Sequence, residues 1–368
     1  MRNLVRVRVQ ERYHPTPCRI RGPCACPMRT QAAPFYGPFM KPLLPSFIAV
    51  SLSALLVNTA FAQATSVASA TWPDKPVRIV VPAPAGSSLD IIVRTLGDKL
   101  KDKWKQPLVV ENKAGAGGML GMDVVAKAAP DGYTLGLGFN GPIAFGPHMY
   151  KKMPYAPGKD LMPIVLTTSQ PNVLAVNASN PANTLPELVT WAKAQGNKLS
   201  FGSVGNGSSS HLTMALLESV AGFDAVHVPY NGSPPAGTSL AANETQMLFA
   251  VAPPLVPLIQ GNRIKLIAAT SLQRTEGLKN LPTVAETYPG FEALAWNGLF
   301  TAAGTPNDVI ARINADVNAV LKDPAVRDAM VKQGFIIGGG TAAEFKSFID
   351  SEGKQWGAII KKVGISID

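Results

Sequence analysis

The sequence predicts an α/β protein of two lobes, each a mainly parallel sheet flanked by helices. Three observations predict it. Short apolar runs alternate with helical patterns along most of the chain after residue 72, the mark of strands joined by helices. One strand–turn–helix unit occurs twice, at 77–100 and at 198–221. The chain also leaves its first set of strands near Pro171-Asn172 and crosses back near Trp296-Asn297-Gly298. Two connecting strands of this kind suit hinge closure around a ligand.

The first unit organises the rest. Val77-Arg78-Ile79-Val80-Val81-Pro82 reads as a buried strand, and Leu89, Ile92, Val93, Leu96 and Leu100 share one helical face. Between them stands the small-residue turn Ala83-Pro84-Ala85-Gly86-Ser87-Ser88-Leu89-Asp90. Free N–H groups and the positive end of a helix dipole point out of such a turn, so it is an anion site. Ala85, Gly86, Ser87 and Ser88 are the candidate contacts. Ser87-x-x-Asp90 fits a capping box, with Asp90 shaping the loop. The second unit repeats the plan: a strand at 198–202, the turn Ser203-Val204-Gly205-Asn206-Gly207-Ser208-Ser209-Ser210, and a helix at 211–221. Gly205, Asn206, Gly207, Ser208 and Ser209 permit close backbone approach, and His211 falls in the first helical turn. Neither turn holds Lys or Arg, so an anion there is held by amides and hydroxyls.

The remaining elements follow in order. Strands are expected at 108–111, 133–139, 173–177, 225–229, 246–250 and 264–269, and helices at 122–128, 185–195, 253–260, 308–321, 325–333 and 342–362. Thr184-x-x-Glu187 opens the 185–195 helix as a capping box, and Gly338-Gly339-Gly340 reads as a breaker. Phe139 and Asn140 sit at a strand's C-terminal end, where ligands bind in open α/β sheets. Tyr230 follows a strand and precedes Asn231-Gly232-Ser233, which puts it at the cleft.

The N-terminus is of another kind. Residues 1–39 carry seven Arg against the single acid Glu11, with recurrent Pro and no hydrophobic period. From Met40 the pattern is that of a secretory signal peptide, 40–62: Lys41, an apolar run at 43–57, then Ala60-Phe61-Ala62. Residues 1–39 then read as an upstream extension from a misassigned start codon. Cys18, Cys24 and Cys26 all precede Met40, so the exported product has neither a disulfide nor a lipid-attachment cysteine. Removing the Arg-rich prefix and Lys41 brings the formal charge from +10 to about +3. The basic balance is therefore poor evidence for a nucleic-acid partner, and none is expected.

Enzyme and cofactor readings find little support. Gly-x-Ser-x-Gly is absent, and Ser208 to His211 would fan around a helix start instead of forming a relay. Gly205-x-Gly207 lacks the third glycine of a dinucleotide loop, which here is Ser210. A phosphate loop's Gly-Lys-Ser/Thr is missing, and only His148, His211 and His227 remain after residue 62. No cofactor and no metal are expected.

From Trp72 onward the chain resembles the extracytoplasmic solute receptors of tripartite tricarboxylate transporters, the Bordetella uptake gene product family. The resemblance rests on Trp72-Pro73-Asp74-Lys75-Pro76, Val110-Glu111-Asn112-Lys113-Ala114-Gly115, Ala126 to Leu135, Gly205-Asn206-Gly207-Ser208, Val226 to Ser233, Leu281-Pro282-Thr283-Val284-Ala285-Glu286 and Gly298 to Pro306. These stretches punctuate the chain in order. The family implies a type II periplasmic binding protein fold, with lobe 1 at 72–172 and 298–368 and lobe 2 at 173–297. It implies a monomeric periplasmic receptor, not an enzyme, that closes on a small-molecule carboxylate and delivers it to a two-part integral membrane permease. A secreted hydrolase and a periplasmic sensor domain of the same fold are the rival readings. The chain departs from the family pattern at Ser87, where a second Gly is usual, and at Ala144-Phe145-Gly146-Pro147, where Ile-Asn-Pro is. It also has Ala250 where many members carry Asp. Losing that acid leaves room for a more apolar ligand body, which favours a dicarboxylate or an aromatic acid over an amino acid.

Overall fold

The computed structural model describes residues 72–367. The expected signal peptide, the expected upstream extension and the three cysteines lie outside them. The first lobe opens with β1 (Val77–Val81), α1 (Ser88–Trp104), β2 (Leu108–Asn112), α2 (Met119–Ala126) and β3 (Thr134–Phe139). A π-helical turn, Gly141–Phe145, and the short α3 (Gly146–Met149) and α4 (Pro157–Asp160) lead into β4 (Leu161–Asn177). The second lobe holds α5 (Leu185–Gln195), β5 (Ser200–Ser203), α6 (Ser209–Ala221), β6 (Val226–Pro229) and α7 (Ser233–Ala241). It continues through β7 (Met247–Val251), α8 (Val256–Gln260) and β8 (Ile264–Ala269). The chain returns along β9 (Leu294–Ala302) and ends with α9 (Asn307–Leu321), α10 (Pro324–Val331), β10 (Ile336–Gly339) and α11 (Ala342–Val363).

β1 pairs in parallel with β2 and β3, and β5 in parallel with β6 and β7. The connecting strands run antiparallel to their neighbours, so both sheets are mixed. β9 pairs with β3 and with residues 161–171 of β4, and β10 pairs with the same half of β4. From Asn172 onward, β4 pairs instead with β7 and β8. A single strand of 17 residues therefore runs through both sheets.

The pleat decides what each face buries. Along β4, Leu174 and Val176 join a core shared with Phe201, Phe249, Trp296 and Trp356, while Val173 and Ala175 face Leu240 and Leu248. The opposite face of the first sheet packs Val77, Ile79 and Val81 against Ile92, Leu96 and Leu100 of α1 and Ile313 of α9. Each Leu, Ile or Val so buried contributes roughly 1.5–3 kcal/mol. α5 starts on the expected Thr184/Glu187 capping box, and α11 on a second one, Thr341/Glu344.

Several elements differ from expectation. α2 begins at Met119, three residues early. β4 extends twelve residues upstream of Val173, because Pro163 and Pro171 are accommodated in a strand with two register shifts in its first half. α7 carries Pro234 and Pro235 in its first turn, where a missing N–H costs nothing. The glycines expected to break the chain form β10, where a Cβ on Gly338 would lie 2.5 Å from the Leu166 carbonyl oxygen.

Candidate ligand-binding cleft

Two helix N-termini from different lobes meet at one cavity. In the first turn, Gly86 takes φ +76° and Ser87 is the N-cap of α1. The Ser87 amide donates to the Pro84 carbonyl at 3.2 Å, and Ile91 N–H donates back to Ser87 O at 3.0 Å. Ser87 Oγ accepts from Asp90 N–H at 3.3 Å. Asp90 completes the loop in a way a capping box does not: its carboxylate accepts from Gly86 N–H at 3.0 Å, not from Ser87. Arg94 Nε and Asn112 Nδ2 also donate to it, at 3.0 and 3.1 Å. Burial pushes this carboxyl up, but the hydrogen bonds from Arg94, Gly86 and Asn112 outweigh it and hold the pKa below the ordinary value. The amides of Ser88 and Leu89 are left without a protein partner among the described residues.

The second turn repeats four of these bonds. Gly207 has φ +69°, and Ser208 caps α6 with the same backbone as Ser87. Ser208 N–H donates to Gly205 O at 3.2 Å, and Leu212 N–H to Ser208 O at 3.1 Å. Ser208 Oγ accepts from His211 N–H at 3.3 Å. In place of Asp90 stands His211, whose Nδ1 accepts from Gly207 N–H at 3.2 Å. That bond requires a neutral ring at Nδ1. Burial, and then the neighbouring His227, push the His211 pKa down to about 3. The two imidazoles stack 3.8 Å apart, burial lowers His227 to about 4, and His227 Nε2 lies 2.6 Å from the fully buried Ser203 hydroxyl. Ser210 Oγ ties the turn to the Phe249 carbonyl. The amides of Ser209 and Ser210 are left over.

The cavity between the turns has a volume of about 60 Å3. Its first-lobe wall includes Pro84, Ser87, Ser88, Leu89, Gly115, Gly117, Phe139 and Asn140. Gln170 and Asn172 of β4 and Asn297 of β9 also line it, and Val204, Ser209, Asn231, Ser233 and Ala250 complete the second-lobe wall. No lining residue carries a charge.

Of the sequence-predicted residues, Ser87, Ser88, Phe139, Asn140, Ser209 and Ala250 line this cavity. Ala85 and Gly86 are exposed, and Asp90, Ser208 and His211 are buried supports of the two turns. Tyr230 is half-buried, with its hydroxyl 2.5 Å from Ser239 Oγ. Gly205, Asn206 and Gly207 meet the other lobe. A Cβ on Gly207 would stand 2.5 Å from Met149 Cε, and one on Gly117 would stand 2.4 Å from Asn206 O. Tyr150 also donates to Asn206 O, at 3.5 Å. The lobes are therefore in backbone contact, and glycine serves that contact. Gln170, Asn172 and Asn297 escaped the sequence reading. Asn297 interrupts a mostly apolar strand, whereas Gln170 and Asn172 stand in the run Thr167-Thr168-Ser169-Gln170-Pro171-Asn172, which carries no strand signal of its own.

Among the described residues no group of three or more His, Cys, Asp or Glu could hold a metal ion. No described helix is long and apolar enough to cross a membrane.

Two mixed α/β lobes joined by strands, with a cavity between helix N-termini, define the class of two-lobe solute-binding proteins. The family model described as "Tripartite tricarboxylate transporter family receptor" matches residues 92–365. A relative from Pseudomonas sp. (strain P51), the UPF0065 protein in the tcbD-tcbE intergenic region, is 35% identical over 322 residues, covering 86% of this chain and 96% of its own. The structure of R. palustris Rpa4515 with adipate has TM-score 0.78 and 30% identity over 80% of this chain and 99% of its own. MatC from Rhodopseudomonas palustris with bound malate has TM-score 0.75 and 28% identity over 78% and 100%. The chain belongs to the tripartite tricarboxylate transporter receptor family.

Proposed function

We propose that this protein is an exported periplasmic receptor that captures a small organic carboxylate in the interlobe cleft and delivers it to a two-part membrane permease. The observation that carries the reading is the duplicated turn: two helix N-termini, one from each lobe, each with first-turn amides left over at an uncharged cavity. Such amides bind carboxylate oxygens without a cation. Two amide ends favour a ligand with two polar ends, a dicarboxylate first and an aromatic acid second, and Ala250 offers its middle an apolar wall. The adipate and malate held by the two relatives support the same class. We take residues 72–172 and 298–368 as one lobe and 173–297 as the other, with the cleft closing about β4 and β9.

Calorimetry against mono- and dicarboxylates of four to six carbons, benzoates and amino acids tests the reading. At least one dicarboxylate or aromatic acid should bind, and ligand at 100-fold its Kd should add about 2.7 kcal/mol to stability. Gly207→Val places bulk against Met149 where the lobes meet. It should fold and bind at least tenfold more weakly, while loss of the charge of Lys361 should leave affinity unchanged. A Gly207→Val protein that folds and binds as the wild type does would remove the two-turn site.

A further inference from the structure

We infer that the segment following α11 is a clamp on the closed cleft and that Ile367 is its positioning residue; the inference rests on the interlobe closure proposed above. α11 stops at Gly364, which takes φ +71°. The N–H groups of Gly364 and Ile365 both donate to Ile360 O, at 3.0 and 3.2 Å, and so turn the chain out of the helix. Beyond the turn the pattern is that of extended chain. Ile365 and Ile367 are half-buried against the core, and Ser366 between them is exposed. Ile367 N–H donates to Met149 O at 2.9 Å, and Ile367 pairs in parallel with Tyr150. The segment is thus fastened to the end of α3 in the first lobe.

Its side chain reaches the other lobe. A Cβ on Gly207 would stand 3.6 Å from Ile367 Cδ1 as well as 2.5 Å from Met149 Cε, so both methyl groups cover one face of Gly207. Gly207 belongs to the second helix-capping turn: its N–H donates to His211 Nδ1, and the next residue caps α6. The neighbouring interlobe contacts, Tyr150 hydroxyl to Asn206 O and Gly117 against Asn206 O, are polar or backbone. Met149 and Ile367 add an apolar part beside them. A Met side chain is flexible. Ile367 is β-branched and stiff at χ1, and its own backbone is bonded to Met149. It therefore sets where the first lobe meets the turn. A contact between lobes exists only while they are closed. It favours the closed state alone, raises the fraction of protein able to hold a ligand, and should be felt in release more than in arrival.

Stopped-flow kinetics with butanedioate, hexanedioate and benzoate tests this, on whichever of them the wild type binds. Ile367→Val removes Cδ1 alone, Ile367→Ala removes the whole branch, and Ile367→Leu keeps a δ-methyl. Ile367→Ala should release the acid roughly threefold faster or more, with the association rate within about twofold of wild type. Ile367→Val should fall between the two, and Ile367→Leu should release as the wild type does. A residue that only supported the fold would lower the urea midpoint of the free protein and leave the release rate alone. Release unchanged in Ile367→Ala and Ile367→Val overturns the inference, and so does an effect confined to association. If none of these acids binds, the carboxylate reading falls and small-angle scattering without ligand tests the clamp by itself. The Ile367→Ala protein should then have a larger radius of gyration than the wild type, and equal radii overturn the inference.

Discussion

Asp90 shows how much of a site one residue can carry without touching it. Its carboxylate holds Gly86 N–H, Arg94 and Asn112 at once, and so fixes the turn that presents the Ser88 and Leu89 amides. Removing it takes the shared acceptor from an exposed amide, a largely exposed guanidinium and a half-buried side-chain amide, at a cost of roughly 1–3 kcal/mol in all. Asp90→Ala should therefore lower stability by about that amount in urea unfolding and also weaken ligand binding severalfold. Unchanged affinity would show that the turn keeps its shape unaided. The Ser-x-x-Asp pattern was legible in the sequence, and so was its role in shaping the loop. The partner was not, because pattern alone does not tell whether a carboxylate bonds the N-cap amide or the one before it. His211 was harder still: its equivalence to Asp90 rests on a ring nitrogen acting as acceptor, which no acid-based motif announces.

At the scale of elements, the strand–turn–helix units and the Thr184/Glu187 capping box were legible because period, caps and turn residues agree there. The first half of β4 was not, because Pro163 and Pro171 mask a strand whose neighbours come from over a hundred residues downstream. The Gly115–Gly118 loop, which precedes the helix expected at 122–128, is where the first lobe meets the second. Gly117 has φ +62°, and a Cβ there would strike Asn206 O. Gly117→Ala should therefore act mainly on closure. We expect the free protein to lose about 1–2 kcal/mol from the left-handed backbone and affinity to fall further, with small-angle scattering showing no compaction on adding ligand. Normal compaction and affinity would argue that closure tolerates a gap.

For the whole molecule, four buried groups set the response to pH. His211 and His227 are held at about 3 and 4, so below pH 6.5 the unfolded chain takes up protons the folded one refuses, and stability falls. Burial, aided by the nearby Asp224 and Glu292 carboxylates, raises Glu218 and Glu352 to about 7. There the folded chain takes up protons first, and stability rises as pH drops from 7 to 4.5. The two pairs offset each other between pH 6.5 and 4.5; below that the histidines go on lowering stability, joined by carboxylates held under their ordinary values, Asp90 and Glu286 among them. Melting temperature should thus stay nearly flat over that window and drop beneath it. The Glu218→Gln, Glu352→Gln double variant should move the onset of decline up to about pH 6.5; an onset that stays near 4.5 would mean the histidines are not buried as neutral rings. The uncharged lining of the cleft has a last consequence, for speed. Amide hydrogen bonds act only at contact, whereas a cationic pocket draws anions from a Debye length away and accelerates their arrival. This cleft adds no formal charge to such a field, so the cleft lining itself gives capture little reason to slow when the surrounding medium turns salty.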